Sequence, residues 1–149
     1  MKTIRLETLA LDTAAEIARH ALEHGRANGM APLAIAVLDI RGTLKAFLAD
    51  DGTSLLRFDI AMGKAWGALG MGFGGRALQQ RSANTPLFYS ALHAMTDGKV
   101  VTVPGSVLVR TATGELLGAV GISGDSSEND ERCAVAGIQA AGLLADTGA

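Results

Sequence analysis

Lys64 sits inside an otherwise apolar stretch, Ile60-Ala61-Met62-Gly63-Lys64-Ala65-Trp66-Gly67-Ala68. A lysine there must reach water along its stem, pair with a carboxylate, or serve a ligand. Burial lowers a lysine's pKa and makes the amine a usable base or nucleophile. Asp130 is the matching acid: near the start of the last predicted helix, it is placed to cap that helix or to pair with Lys64 or Arg110. Arg110 has the planar fork that clamps a carboxylate through two hydrogen bonds. Ser123-Gly124 precedes the same helix, where backbone N–H groups point at an anion. The chemistry these residues could perform together is proton transfer on a small organic acid. Lys64 and Asp130 would move the proton, while Arg110, Ser123 and Gly124 would hold the carboxylate. The plainer alternatives are a lysine at a helix border, a solvated arginine and a structural strand-to-helix turn.

The elements that must position them follow from periodicity. From about Thr8 to Asn28, residues Ala10, Ala14, Ile17, Ala18, Ala21 and Gly25 share one helical face, opposite Glu16, Arg19, Glu23 and Arg26. Leu33–Leu38 and Thr43–Ala49 read as strands around the turn Asp39-Ile40-Arg41-Gly42. Ser54 is a candidate N-cap for a helix reaching Met71. Gly70–Gly75 interrupts it, Gln79–Asn84 is polar and turn-like, and Pro86 opens a helix through Met95. Val100–Val103 reads as a strand; Ser106–Arg110 and Glu115–Ile122 form a second hairpin. A last helix runs from Ser127 to about Ala145, with Ser127 and Asp130 as a capping box. The order helix, hairpin, helices, hairpin, helix predicts an α+β fold, an antiparallel sheet flanked by helices, in one domain over residues 1–149.

Composition narrows the function classes. Apolar residues are 48% of the chain and aromatics only 4%, so the core must rely on close backbone approach between elements. The net charge is −2 with no basic block. That removes the electrostatic footprint for nucleic acid and for an anionic membrane surface. One cysteine, Cys133, excludes an intrachain disulfide. Placed near a helix start with no base close in sequence, it reads as an inert buried thiol. The N-terminal residues resemble neither a signal peptide nor a membrane span, so a cytoplasmic location is expected. Gly70-Met71-Gly72-Phe73-Gly74-Gly75 follows a helical pattern instead of a strand, which rejects it as a dinucleotide-binding loop.

Three stretches carry a family resemblance. They are Leu33–Asp39 followed by Gly42; Asp51-Gly52-Thr53 before a helix with Ala61, Lys64 and Ala65; and Gly118–Gly124 with Asp130 close behind. In this order they resemble the GlcG/HbpS haem-binding family. The resemblance implies a profilin-like fold, homo-oligomers from dimer to octamer, and haem as a cofactor, with haem degradation in some members. Two places depart from the usual pattern: Thr102-Val103-Pro104-Gly105-Ser106, where many members carry Gly-Gly-x-Pro, and Trp66-Gly67.

Haem requires an axial donor and an apolar slot. His20 and His24, one turn apart on the first helix, and His93, after Phe88 and Tyr89, are the nitrogen candidates, with His24 and His93 the favoured ligands. Met62, Met71 and Met95 are soft alternatives that otherwise fill gaps. One Cys and three scattered His form no zinc signature, so no metal site is expected. The expected ligand is haem or a small carboxylate. A third possibility is a non-catalytic oligomeric sensor or assembly protein.

Overall fold

The small-residue face of the first helix folds inward. The computed structural model describes residues 1–149. Its helix α1 (Leu11–Ala27) buries Ala14, Ile17, Ala18, Ala21 and Gly25. Glu16, Arg19 and Glu23 pair on its exposed side. The chain then forms β1 (Ala34–Asp39) and β2 (Leu44–Ala49). The buried carboxylate of Asp39 fixes the turn between them, its Oδ1 accepting the N–H groups of Arg41 and Thr43.

Three helices follow: α2 (Arg57–Met71), α3 (Gly75–Asn84) and α4 (Pro86–Met95). The second hairpin is β3 (Ser106–Arg110) and β4 (Leu116–Ser123), followed by α5 (Ser127–Ala140) and β5 (Leu144–Asp146). The five strands form one sheet in the order β2-β1-β4-β3-β5, every pair antiparallel.

Both faces of the sheet are covered, which explains why β1 is a continuous apolar run. Successive side chains point to opposite faces. Ile35 and Val37 join Ile17, Ala18, Ala134 and Ile138 beneath α1 and α5. Ala34 and Ala36 meet Ala61 of α2 on the other side. Small residues allow this close layering. A Cβ on Gly121 of β4 would lie 2.0 Å from the Ala61 carbonyl oxygen, and one on Gly137 of α5 would lie 2.5 Å from that of Ile17.

The α+β order stands, with local corrections. The last helix ends at Ala140 instead of continuing to Ala145. Gly142, at φ +74°, turns the chain, and the N–H groups of Gly142 and Leu143 close on the carbonyls of Gln139 and Ile138. The three residues of β5 then pair with β3. Gln79–Asn84 is helical, the exposed polar side of α3, which buries only Gly75 and Leu78. Val100–Val103 forms no strand: it packs on α2, where the Val101 N–H donates to the Gly63 carbonyl at 3.1 Å. Leu56, not Ser54, precedes α2. The cap of α5 is Ser126, whose Oγ accepts the Asn129 N–H.

Candidate functional site

Lys64 and Asp130 meet. Because Gly121 brings α2 onto the backbone of β4, the Lys64 stem reaches past the end of that strand to α5. Its Nζ donates to the Ile122 carbonyl at 2.8 Å and to Asp130 Oδ2 at 3.1 Å. Asp130 Oδ1 accepts the Asp125 N–H at 3.0 Å. The pair is enclosed, with Lys64 3% and Asp130 1% exposed. Gly105 closes the enclosure at φ +103°: a Cβ there would lie 2.7 Å from Nζ. The bare backbone of Gly105 therefore lies directly against the ammonium.

Burial sets the electrostatics of the pair. It pushes the Lys64 ammonium below its ordinary pKa, against the opposing charge and hydrogen bond of Asp130, and Arg57 adds to the depression. It pushes the Asp130 carboxyl up, against Lys64 and the Asp125 N–H. Desolvation outweighs attraction on both sides, as expected for a buried ion pair. The pair joins α2, β4 and α5 and exposes no proton-transfer group.

The remaining small-acid candidates divide. Ser123 is buried beside the pair, and its Oγ accepts from Arg57 Nη1 at 3.1 Å. Gly124 lies against the chain before β1, where a Cβ would be 2.2 Å from the Pro32 carbonyl oxygen. The start of α5 is served by the chain's own carboxylate, since Asp125 Oδ1 accepts the Ser126 N–H. Arg110 stands apart, at the opposite end of β3 from Gly105. Its Nε donates to Asp146 at 2.8 Å and its Nη1 to the Gly114 carbonyl at 3.0 Å. A carboxylate clamp made of Arg110, Ser123 and Gly124 is not assembled in this chain.

The three histidines lie apart from one another. His20 is held between Glu16 and Glu23 on the surface of α1. His24 borders a depression of about 340 Å³ shared with Arg132, Val135 and Gln139 of α5, without an aromatic ring. His93 is half-buried on α4. The Cys133 thiol is buried, 3.2 Å from Met30 Sδ, and burial with the charges of Asp130 and Asp125 pushes it up to about 11.

The structure does show a slot that none of these residues lines. Phe58, Met62 and Trp66, at i, i+4 and i+8 on α2, form one wall of an open groove of about 560 Å³. Phe58 is 40% and Trp66 38% exposed, with half-buried Met62 between them. The Phe58 ring is braced edge-on by Phe47 at 4.8 Å, and the Trp66 indole lies over the Gly42 turn. The facing wall is Asp97-Gly98-Lys99, entered through Asp97 at φ +53°. Asp59 and Lys99 put opposite charges on the rim.

Sequence reasoning picked out Met62 and the departure at Trp66 but not the groove. The recurrence of three large side chains four residues apart, beside the Ala61, Ala65 and Ala68 face, was the available signal. The groove is an open surface with one aromatic and apolar wall and a charged rim. Its volume lies in the range of small-molecule and cofactor sites. Its two half-exposed rings and thioether offer apolar contact on one wall, while its rim carries two carboxylates, Asp59 and Asp97, against the one ammonium of Lys99.

Comparison with known proteins gives a family and a fold. Residues 9–139 match the family model described as haem degrading protein HbpS-like. The crystal structure of a PduOC:heme complex is 27% identical, with a TM-score of 0.82 over 95% of this chain and 99% of that one. The crystal structure of HbpS is 25% identical, with a TM-score of 0.79 over 93% of each chain. The Klebsiella pneumoniae protein ORFY, 24% identical over 97% of each chain at a TM-score of 0.83, shares the fold. No curated protein sequence matches the chain.

Proposed function

Because this chain belongs to the HbpS-like haem-degrading family, we propose that it binds haem or a closely related tetrapyrrole, and that the groove along α2 is the seat. The observation that carries the location is the Phe58–Met62–Trp66 stripe facing the Asp97-Gly98-Lys99 wall. The ligand class is supported by the family and by a relative solved with heme. Phe58 and Trp66 would hold the ring by stacking and apolar contact. Lys99 would hold an anionic substituent. Gly98, with open space beside its α-carbon, leaves bare backbone against which a flat ligand can lie. Bound haem would supply redox and dioxygen chemistry; the residues of the groove bind it, orient it and shield one face from water.

The test is an absorbance titration of the purified chain with hemin, with albumin as a nonspecific control. A saturable Soret shift at one hemin per chain is expected. Trp66→Ala should weaken binding about tenfold or more, equivalent to about 1.4 kcal/mol. A featureless wild-type titration would refute haem binding. Degradation is a separate measurement: loss of the Soret band with dioxygen and a reductant.

A small-acid enzyme using Lys64 and Asp130 is the less favoured alternative. The pair is closed to solvent and Arg110 is committed elsewhere. Homo-oligomerisation, from dimer to octamer, and a cytoplasmic location remain part of this proposal. No helix is long and apolar enough to cross a membrane.

A further inference from the structure

We infer that the groove between α3 and the residues after β5 is an oxyanion site, in which the Arg81 guanidinium clamps a carboxylate or phosphate borne by a small polar molecule. This site is separate from the groove along α2 and does not depend on tetrapyrrole binding. Ala77, Gln80, Arg81 and Asn84 recur at i, i+3, i+4 and i+7, so they share one face of α3. With Thr85 and Gly148 they line a groove of about 510 Å³, within the range of small-molecule sites. The opposite wall is fixed in place. The Arg76 N–H donates to the Thr147 carbonyl at 3.0 Å. Gly148, at φ +83°, lies so close to α3 that a Cβ there would be 2.7 Å from that of Ala77.

Arg81 carries the charge of this lining, which holds no carboxylate side chain. Arg19, Arg26, Arg41, Arg76 and Arg110 are each paired with an acidic residue. Arg81 is instead stacked on Phe73, its guanidinium carbon 3.8 Å from the ring centroid. Stacking engages the face of the fork and leaves the N–H donors in its plane unspent. Phe73 packs against the core on the α2 side of the sheet, so the stack positions the cation before a ligand arrives.

The neighbouring groups favour the same ligand. The Gln80 and Asn84 amides place further donors on the groove. The Arg81 carbonyl is already engaged, accepting both the N–H and the Oγ1 hydroxyl of Thr85. Asp146 is committed to Arg110 and to the Gly148 N–H. One free cation and two amides select an anion with polar surroundings, and the planar fork matches paired carboxylate or phosphate oxygens.

The test is a heteronuclear NMR titration of the full-length protein with inorganic phosphate and, separately, with succinate, each against chloride at matched ionic strength. Saturable shifts are expected at the Arg81 Nε–H and the Gln80 and Asn84 side-chain amides with at least one of the two anions. The anion that saturates identifies the ligand class. Arg81→Ala should weaken binding about tenfold or more. Arg81→Lys keeps the charge but loses the fork, and should weaken it nearly as much. Phe73→Leu keeps the fork but removes the stack, and should weaken it several-fold. Arg110→Ala should bind as the wild type does. Arg81 is exposed on α3, and circular dichroism confirms that each variant is folded. Shifts that rise linearly with both anions and match chloride overturn the inference, as do saturable shifts that Arg81→Ala leaves unchanged.

Discussion

Lys64→Met removes one end of the enclosed ion pair while keeping a stem of similar length. The pair lies 3.1 Å apart with side chains 4% and 2% exposed. Without the ammonium, Asp130 keeps only the Asp125 N–H, and the Ile122 carbonyl loses the Lys64 donor. Stranding a buried charge costs about 3–5 kcal/mol, against a total of about 5–15 kcal/mol for a typical domain. Burial raises the Asp130 carboxyl above its ordinary value of 3.8 even with Lys64 present, and removing Lys64 raises it further. A raised folded pKa means that the folded state holds a proton the unfolded state has released. The associated stability is complete below the unfolded value, about pH 4, and is lost as pH rises through the folded value. The Lys64→Met penalty should therefore be smallest near pH 4 and grow towards neutrality. Adding Asp130→Asn supplies a neutral acceptor for the Asp125 N–H and should restore at least ~2 kcal/mol at pH 7. Urea unfolding followed by circular dichroism from pH 4 to 8, with the slope m checked for constancy, measures each quantity. A loss under ~1 kcal/mol at pH 7, or a penalty independent of pH, would refute the reasoning.

Three further outcomes follow from local geometry. Gly121→Ala places a Cβ 2.0 Å from the Ala61 carbonyl oxygen, a backbone atom. It should cost at least ~2 kcal/mol in urea unfolding; a near-neutral effect would show that α2 can lift off β4. Cys133, with its thiol pushed up to about 11, should react with iodoacetamide at pH 8 roughly 100-fold more slowly in the folded protein than in urea. Equal rates would mean that the thiol is neither buried nor suppressed. Arg110→Ala breaks a partly exposed pair with Asp146, so it should cost no more than ~1 kcal/mol and leave hemin affinity unchanged. Lost binding would bring the far end of β3 into the site.

The two hairpins were legible because their strands are apolar runs bounded by strong turns, and the Asp39 turn shows the reason in full. The Lys64–Asp130 pair was foreseen as one option because an ammonium inside an apolar helix needs an acid, and Asp130 was named among its possible partners. Arg110 illustrates the limit. Its partner Asp146 belongs to β5, a three-residue strand hidden within what looked like the continuation of a helix. One left-handed glycine, Gly142, decided that change, and the helix-favouring Ala140-Ala141 before it and Leu143-Leu144 after it masked it. The groove was illegible for a different reason. Its second wall, Asp97-Gly98-Lys99, is brought to α2 by the Val100–Val103 segment, which has strand-like composition yet packs on Gly63 and Gly67.

Helix α2 holds both the ion pair and the groove, and its geometry keeps them apart. At about 100° per residue, Lys64 points roughly 160° away from Met62. Lys64 runs towards α5, and the Ala61, Ala65 and Ala68 face lies on the sheet between it and the groove side. A ligand in the groove therefore has no access to the Lys64 ammonium. The double variant Lys64→Met with Asp130→Asn separates the two readings of the chain. If the groove is the seat and the ion pair is structural, this variant should titrate with hemin as the wild type does, within about twofold in affinity. That difference is under ~0.5 kcal/mol. A folded double variant that no longer binds hemin would place the ligand at the ion pair and return Lys64 and Asp130 to the functional site.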